Sequence, residues 1–412
     1  LVLERRVIKI AGRPVYFVDK GRLEELNIKL GDDVMEVDSL SKLLSNGKLS
    51  KEHCTDPFEN FIGYGGSLRL AIKQAKSAIL YPPKGLHTLI TGATGVGKTT
   101  FAEMMYKYAT SQNIIDKKSQ FIIFNCSEYA ENPQLVISQL FGHIKGAFTG
   151  ADKDKTGLIE KANGGIMLLD EIHRLAPECQ EMLFMLMDKG IYRRLGETEN
   201  YRKANVLFIG ATTEDADSVL LKTFLRRIPM LIKLPSLSER PLHERMELIE
   251  YFFRAEVGNV NTAIRVHKNV LSALLMYDCQ GNIGQLKGDI KLLCARSFLE
   301  YKIHNKTEIE IDTRLLPEYI YAGLLSYQKQ RNEISNLLNY EEEWYTFNKS
   351  MKRNFAFEDP YAISENLYSE ITNKYNKFML QGYSDDEINE IISKDIDRYL
   401  KRLLTKFSIK KD

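Results

Sequence analysis

The sequence predicts an α/β fold: a parallel five-stranded sheet, followed by a helical lid and a further helical segment. Three observations predict it. Five short, almost wholly apolar runs alternate with stretches of helical periodicity. A glycine-rich GxxxxGK[ST] segment follows the first of these runs directly. From about residue 236 helical patterning takes over. Continuous apolar strands separated by helices signal a sheet buried on both faces, since a one-sided sheet would alternate apolar and polar residues.

The chain has 412 residues, enough for two or three domains at roughly 150 residues each. Hydrophobic residues at 44% and charged residues at 27% argue against wholesale disorder. With 57 Lys+Arg against 55 Asp+Glu, the net charge of +2 excludes a strongly basic nucleic-acid coat but leaves room for a local basic face. No apolar run approaches the ~18 residues of a membrane helix, and no signal-peptide pattern is present, so a cytoplasmic protein without membrane contact is expected. The five cysteines (Cys54, Cys126, Cys179, Cys279, Cys294) are scattered and never form CxxC, which suits reduced thiols and speaks against a metal site. The first residue is Leu1, not Met, so a fragment is expected.

In chain order, Val7–Ile10 and Val15–Val18 are β-branched and aromatic runs around the turn-forming Ala11-Gly12-Arg13-Pro14, predicting a hairpin over 1–20. Residues 21–56 are polar and read as a linker. The spacing of Leu68, Ala71, Ile72, Ala75 and Ile79 predicts a helix over 67–80, stopped by Pro82-Pro83. Five strands follow, at Thr88–Ile90, Phe121–Phe124, Ile166–Leu169, Val206–Ile209 and Leu231–Leu234. Together they define an α/β nucleotide-binding subdomain over 57–235. A mainly helical lid over 236–320 includes a helix from Ile283 with Ile290, Leu293, Cys294 and Phe298 on one face. Residues 321–412 read as a helical linker. There Ser384 and Glu387 form a capping box, and Ile388, Ile391, Ile392, Tyr399, Leu400, Leu403, Leu404 and Phe407 form an apolar stripe. The stripe is expected to pack against a neighbouring domain or subunit.

Gly92-Ala93-Thr94-Gly95-Val96-Gly97-Lys98-Thr99 lies between a strand and a helical pattern, and with Thr100 forms the candidate nucleotide-binding set. Glycines let the backbone curl so that its N–H groups surround phosphate oxygens at the positive end of the next helix. Lys98 is placed to contact the β- and γ-phosphates of ATP and Thr99 to hold Mg²⁺. A second carboxylate site is needed, and the strand ending in Asp170-Glu171 supplies it at the edge where parallel sheets bind ligands. Asp170 is assigned to the Mg²⁺ shell and Glu171 to polarising the attacking water. An acidic pair after an apolar run is usually only a strand end. Combined with the phosphate loop, it points to a Mg-dependent ATPase.

Leu140-Phe141-Gly142-His143-Ile144-Lys145-Gly146-Ala147-Phe148-Thr149-Gly150-Ala151 carries an aromatic on glycine-flanked backbone with nothing nearby in sequence to bury it, which suggests contact with another molecule. The segment resembles the GAFTGA loop of bacterial enhancer-binding proteins, AAA+ P-loop ATPases that activate sigma-54 RNA polymerase. The match is complete over Gly146, Ala147, Phe148, Thr149, Gly150 and Ala151, and continues upstream through LFGHxKGAFTGA. The resemblance covers about residues 58–300. It implies that Phe148 and Thr149 touch the sigma factor, and it is strongest to the LevR-type subgroup, activators of sugar-transport operons.

The same resemblance assigns the remaining site residues. Asn125 ends a strand as the asparagine that orients the catalytic Glu, and Thr212 and Thr213 fall where the family's sensor I usually reads ATN. Arg226 matches the second of two arginines that reach a neighbouring subunit's γ-phosphate, with Arg227 as understudy; a ring, hexameric in this family, is therefore implied. The first arginine's position is Leu220, with Lys222 nearby, and the lid's sensor II arginine is replaced by Gly284, with Lys287 one turn on.

In LevR-type regulators an N-terminal winged helix-turn-helix binds DNA, so residues 1–20 resemble its wing, with most of the DNA-reading surface absent. Arg5, Arg6, Lys9 and Arg13 are either phosphate contacts or simply solvated. Phosphotransferase-system regulatory domains follow the ATPase in that subgroup, and the seven histidines here show no such pattern. His173 is expected to be a surface helix residue. The main expectation is an ATP-hydrolysing activator that remodels sigma-54 RNA polymerase. The alternative is an ATP-gated DNA-binding or scaffold protein in which hydrolysis is incidental; an AAA+ machine acting on another target is disfavoured by the intact hexapeptide.

Overall fold

The computed structural model describes residues 7–10, 16–19, 56–129, 131–304, 306–326, 342–348 and 367–407, together with 334, 337 and 338. The linker stretch up to residue 55, the turn Gly12-Arg13-Pro14, Arg5, Arg6, Cys54 and the side chains of Lys9, Leu400, Leu403, Leu404 and Phe407 lie outside the described residues. The chain divides into two units, Leu1–Asp56 and Pro57–Asp412. In the first, β1 (Val7–Ile10) and β2 (Tyr16–Asp19) pair antiparallel, with Val7 opposite Asp19 and Ile10 opposite Tyr16.

The second unit begins with α1 (Arg69–Leu80), whose Ala71, Ile72, Ala75, Ala78 and Ile79 are buried at helical spacing. Then come β3 (Thr88–Thr91), α2 (Lys98–Ser111), β4 (Phe121–Asn125) and α3 (Pro133–Phe141). A small hairpin, β5 (Gly142–His143) and β6 (Lys155–Thr156), leads to β7 (Ile166–Asp170) and α4 (Pro177–Lys189). A second hairpin, β8 (Ile191–Tyr192) and β9 (Arg202–Lys203), precedes β10 (Leu207–Thr212) and β11 (Met230–Lys233).

The five expected strands form one parallel sheet in the order β11-β3-β10-β7-β4. Its two faces carry separate cores, as continuous apolar strands require. Met167 and Leu169 join Phe124, Phe208, Leu140 and Leu183 on one face. Ile166 and Leu168 join Ile90, Phe101, Ile209 and Phe58 on the other. The register sets Asn125 opposite Asp170 and Thr212 opposite Thr91, so four strand ends converge on one edge.

The lid comprises α5 (Leu242–Val260), β12 (Ile264–His267), α6 (Lys268–Met276), α7 (Asn282–Ile303), β13 (Ile309–Ile311), α8 (Glu318–Ser326) and β14 (Trp344–Phe347). The expectation of a mainly helical region misses a three-stranded mixed sheet, in which β12 pairs parallel with β13 and antiparallel with β14. These strands are three or four residues long, too short for a clear period-two pattern.

The chain closes with α9 (Leu367–Leu380) and α10 (Asp385–Phe407). The capping box forms, with Ser384 N–H and Oγ donating to Glu387 at 2.9 and 2.8 Å and Glu387 N–H returning to Ser384 Oγ at 3.4 Å. The described part of the apolar stripe packs on α7 of this same chain, where Ile388, Ile392 and Ile396 enter the lid core. Arg296–Asp397 (2.7 Å) and the Lys291–Tyr399 hydrogen bond (3.1 Å) fix the register of α10 on α7. The stretch read as a linker is therefore bonded into the lid. Among the described residues no helix is long and apolar enough to cross a membrane.

Candidate active site

Between β3 and α2 the backbone turns through Gly92, Gly95 and Gly97 at φ of +155°, +78° and +97°, conformations costly for a residue with a Cβ. Gly95 has a second reason to be glycine, because an added Cβ would lie 2.1 Å from Gly281 O of the lid. No side chain caps the first turn of α2, which leaves its N–H groups directed at the loop. Thr100 sits half-buried in that turn, as Ala93, Thr94 and Val96 complete the loop.

Lys98 is buried and its Nζ donates to Gly92 O (2.9 Å) and Ala93 O (3.2 Å), folding the cation into its own loop. Burial lowers its pKa, opposed by the charges of Glu171 and Asp170. Thr99 Oγ1 donates to Asp170 Oδ2 at 3.1 Å. A hydroxyl and a carboxylate so placed are hard oxygen donors that could hold a magnesium ion beside phosphates.

Glu171 lies at φ +51°, a left-handed conformation uncommon for a residue with a Cβ, held by its N–H to Asp170 Oδ1 at 3.0 Å. Burial raises its pKa, while Lys98 pulls it down and Asp170 pushes it up. Thr213 Oγ1 donates to Glu171 Oε2 at 3.4 Å, and His173 Nδ1 lies 3.4 Å from the same oxygen. Thr212 is fully buried and its Oγ1 lies 3.0 Å from His173 Nδ1. His173 is therefore no surface residue: its side chain is 7% exposed. Ile172–Arg174 form a single 3-10 turn, and sequence spacing gave no sign that this would bring the ring to Thr212.

Asn125 is hydrogen-bonded within its own turn. Its Oδ1 accepts from Ser127 N–H (3.0 Å) and Ser127 Oγ (2.7 Å), and among the described residues no hydrogen bond joins it to the carboxylate. The structure also separates the two arginines. Arg227 is engaged within its own subunit by Asp188 (3.6 Å) and lies 4.3 Å over the Phe184 ring. Arg226 is exposed; its backbone N–H donates to Lys222 O at 3.2 Å, and its side chain makes no hydrogen bond or ion pair among the described residues. Leu220 is buried, so the first arginine's position faces the core, while Lys222 is exposed. Gln180 anchors this segment, accepting from Leu221 N–H at 3.0 Å and donating to Leu175 O at 2.9 Å.

At the lid junction Gly284 N–H donates to Gly95 O at 3.0 Å, where a sensor II side chain would otherwise start, and Lys287 is exposed. Buried Arg240 reaches the phosphate loop, and buried Glu244 holds the turn that precedes α1. Arg240 Nη2 points at Val96 O (3.5 Å), and Glu244 accepts from Ser67 N–H at 2.7 Å.

The Gly146–Ala151 loop rises from the β5-β6 hairpin. That hairpin needs Gly142, at φ +82°, where a Cβ would meet Lys155 O at 2.4 Å. The loop closes on itself through Gly146 N–H to Ala151 O (2.9 Å) and Ala151 N–H to Phe148 O (3.0 Å). Thr149 is exposed. Phe148 is half-buried, not bare as its glycine neighbours suggested, because its ring stands edge-on to His143 with centroids 5.0 Å apart. His143 is buried and fixed by Ser138 Oγ at 2.7 Å. The β8-β9 hairpin braces the base through Ile144 N–H to Leu195 O (3.1 Å) and Leu195 N–H to Gly142 O (2.9 Å).

Residues 61–235 match the sigma-54 interaction domain. The transcriptional regulatory protein LevR of Bacillus subtilis (strain 168) is 43% identical over 414 residues, covering 100% of this chain and 44% of LevR. The transcriptional regulatory protein DagR of Salmonella typhimurium (strain 14028s / SGSC 2262) is 45% identical over 311 residues, covering 75% of this chain and 33% of DagR. The chain thus spans less than half the length of these two relatives. Among solved structures, NtrX from Brucella abortus aligns with a TM-score of 0.51 at 18% identity, over 88% of this chain and 73% of that one. At that identity the likeness speaks for the fold alone. Residues 61–235 are a sigma-54 interaction domain on an AAA+ P-loop frame, and over its whole length the chain is a relative of the transcriptional regulatory protein LevR.

Proposed function

We propose that this chain is the motor of a sigma-54-dependent activator, hydrolysing Mg-ATP in a homo-oligomeric ring and moving the Gly146–Ala151 loop against sigma-54 RNA polymerase. The observation that carries the reading is the convergence of Lys98, the Thr99–Asp170 pair and Glu171 at one sheet edge, in the same unit as the self-closed loop. The backbone N–H groups of Gly92–Thr100 and the Lys98 ammonium bind phosphate oxygens, which requires Lys98 to leave the carbonyls of Gly92 and Ala93. Thr99 and Asp170 hold the magnesium ion, whose charge stabilises the phosphate oxygens when bound. Glu171 takes the proton of the attacking water, and its held carboxylate must be freed and aimed to do so. Arg226 reaches the neighbouring subunit's nucleotide, consistent with a side chain that bonds to none of the described residues of its own subunit. Thr149 and Phe148 contact the sigma factor, Phe148 after leaving His143.

On this reading the operon controlled is one for sugar transport, DNA is bound through the winged helix to which β1 and β2 belong, and the ring is a hexamer. A single experiment tests it: capture of sigma-54 with a transition-state analogue of ATP, run beside a phosphate-release assay. Nucleotide-dependent capture together with release supports the motor. Ring assembly and DNA binding without either would favour an ATP-gated scaffold, the reading to which the Asn125–Ser127 contact and Gly284 lend weight.

A further inference from the structure

A single nitrogen, His173 Nδ1, faces two groups of the candidate active site at once: Thr212 Oγ1 at 3.0 Å and Glu171 Oε2 at 3.4 Å. Thr212 Oγ1 also accepts the Glu214 N–H at 3.1 Å, which leaves its hydroxyl proton free to point at the ring or away from it. A neutral imidazole nitrogen either donates or accepts. With the proton on Nδ1, the ring donates to the carboxylate of Glu171. Without it, Nδ1 accepts the hydroxyl of Thr212 and cannot hold the carboxylate. Asn125 is meanwhile bound to Ser127 and not to Glu171.

We propose that His173 is a positioning residue that transmits the hydroxyl orientation of Thr212 to the carboxylate of Glu171, the task that family resemblance would give to Asn125. This rests on Glu171 being the base of the proposed ATPase. When Thr212 donates to the ring, Thr213 is the one side chain among the described residues left to hold the carboxylate of Glu171; when the Thr212 hydroxyl turns away, Nδ1 carries the proton and holds the carboxylate in place.

Two substitutions separate positioning from bulk. An Asn amide nitrogen lies near where Nδ1 stands, whereas a Gln amide nitrogen lies nearer the far side of the ring. In the full chain, His173→Gln is expected to lower kcat for phosphate release by roughly tenfold. Its KM for ATP and its calorimetric Mg-ATP affinity stay within about twofold of the wild type, and His173→Asn recovers most of the loss. A second readout needs no turnover: in ¹⁵N-histidine-labelled protein, Thr212→Val should move the Nδ1 resonance of His173 to that of a protonated ring nitrogen. Equal damage in both His173 variants together with lost ATP affinity, or an Nδ1 signal indifferent to Thr212→Val, overturns the proposal. A Glu171→Gln variant that still turns over would remove the reading beneath it. An inactive Glu171→Gln beside an unimpaired His173→Gln would remove this inference alone.

Discussion

The side-chain amide of Asn282 donates to the carbonyl of Thr94 at 2.9 Å, tying the start of the lid helix to the phosphate loop. Its Oδ1 accepts the Leu237 N–H at 2.8 Å, and two residues on, Gly284 N–H meets Gly95 O at 3.0 Å. Asn282 sits at φ +53°, which asparagine tolerates better than most residues. Asn282→Ala should therefore strand a buried N–H and strain the backbone, costing about 1–3 kcal/mol. Asn282→Gly loses the same bonds without the strain, so its thermal midpoint should fall less. Equal midpoints for the two variants would show that strain has no part in it, and a midpoint unchanged in both would refute the lid contact.

Lys98→Ala should abolish the heat of ATP binding in calorimetry, because no other buried cation lies within the glycine turn. Glu171→Gln should keep that heat and lose phosphate release. Unchanged ATP affinity in the first variant would count against the phosphate loop, and wild-type release in the second against the base.

These two residues were legible in the sequence because their chemistry depends on local spacing: GxxxxGK[ST] and an acidic pair ending an apolar strand. The sheet strands were legible as apolar runs: β3, β7 and β10 are buried on both faces and so continuously apolar, while the edge strands β4 and β11 are apolar but only partly buried. What escaped depends on approaches across the fold. His173 meets Thr212 only because β7 and β10 are neighbours in the sheet. Phe148 finds His143 only because the β5-β6 hairpin folds back, braced by Leu195. The lid strands β12, β13 and β14 are too short to show a period, and their pairing joins residues as far apart as Ile264 and Phe347.

Arg226 and Arg227 should behave oppositely. Arg226→Ala is expected to cut phosphate release at least tenfold while leaving ATP affinity and the melting midpoint unchanged, since the side chain has no partner among the described residues of its own subunit. Mixing it with Lys98→Ala subunits, which keep Arg226 but bind no nucleotide, should restore part of the activity. Arg227→Ala should instead lower stability by about 0.5–1 kcal/mol through loss of Asp188 and the Phe184 ring face. Absence of complementation in the mixture would place Arg226 outside the neighbouring site.

Thr149 is exposed at the tip of a loop closed by its own backbone, so replacing it should disturb nothing internal. Thr149→Ala is expected to retain ATP turnover and lose capture of sigma-54 with a transition-state analogue. Retained capture would separate this loop from the sigma factor.

Asp289 is fully buried in α7 and accepts from Tyr277 OH at 2.7 Å and Tyr319 OH at 2.6 Å. Burial raises its pKa above the ordinary 3.8, against the lowering effect of hydrogen bonds from Tyr319, Tyr277 and Gln285. A carboxyl group with a raised folded pKa contributes stability fully below its unfolded value and loses it as pH rises through the folded one. The melting midpoint should therefore carry a downward slope that begins near pH 3.8 and levels off above the raised value. Asp289→Asn keeps a neutral acceptor between the two phenols and has no proton to lose. Its midpoint should lack that component of the slope and exceed the wild type at neutral pH; parallel curves for the two proteins would mean that Asp289 is ionised in the fold at no cost.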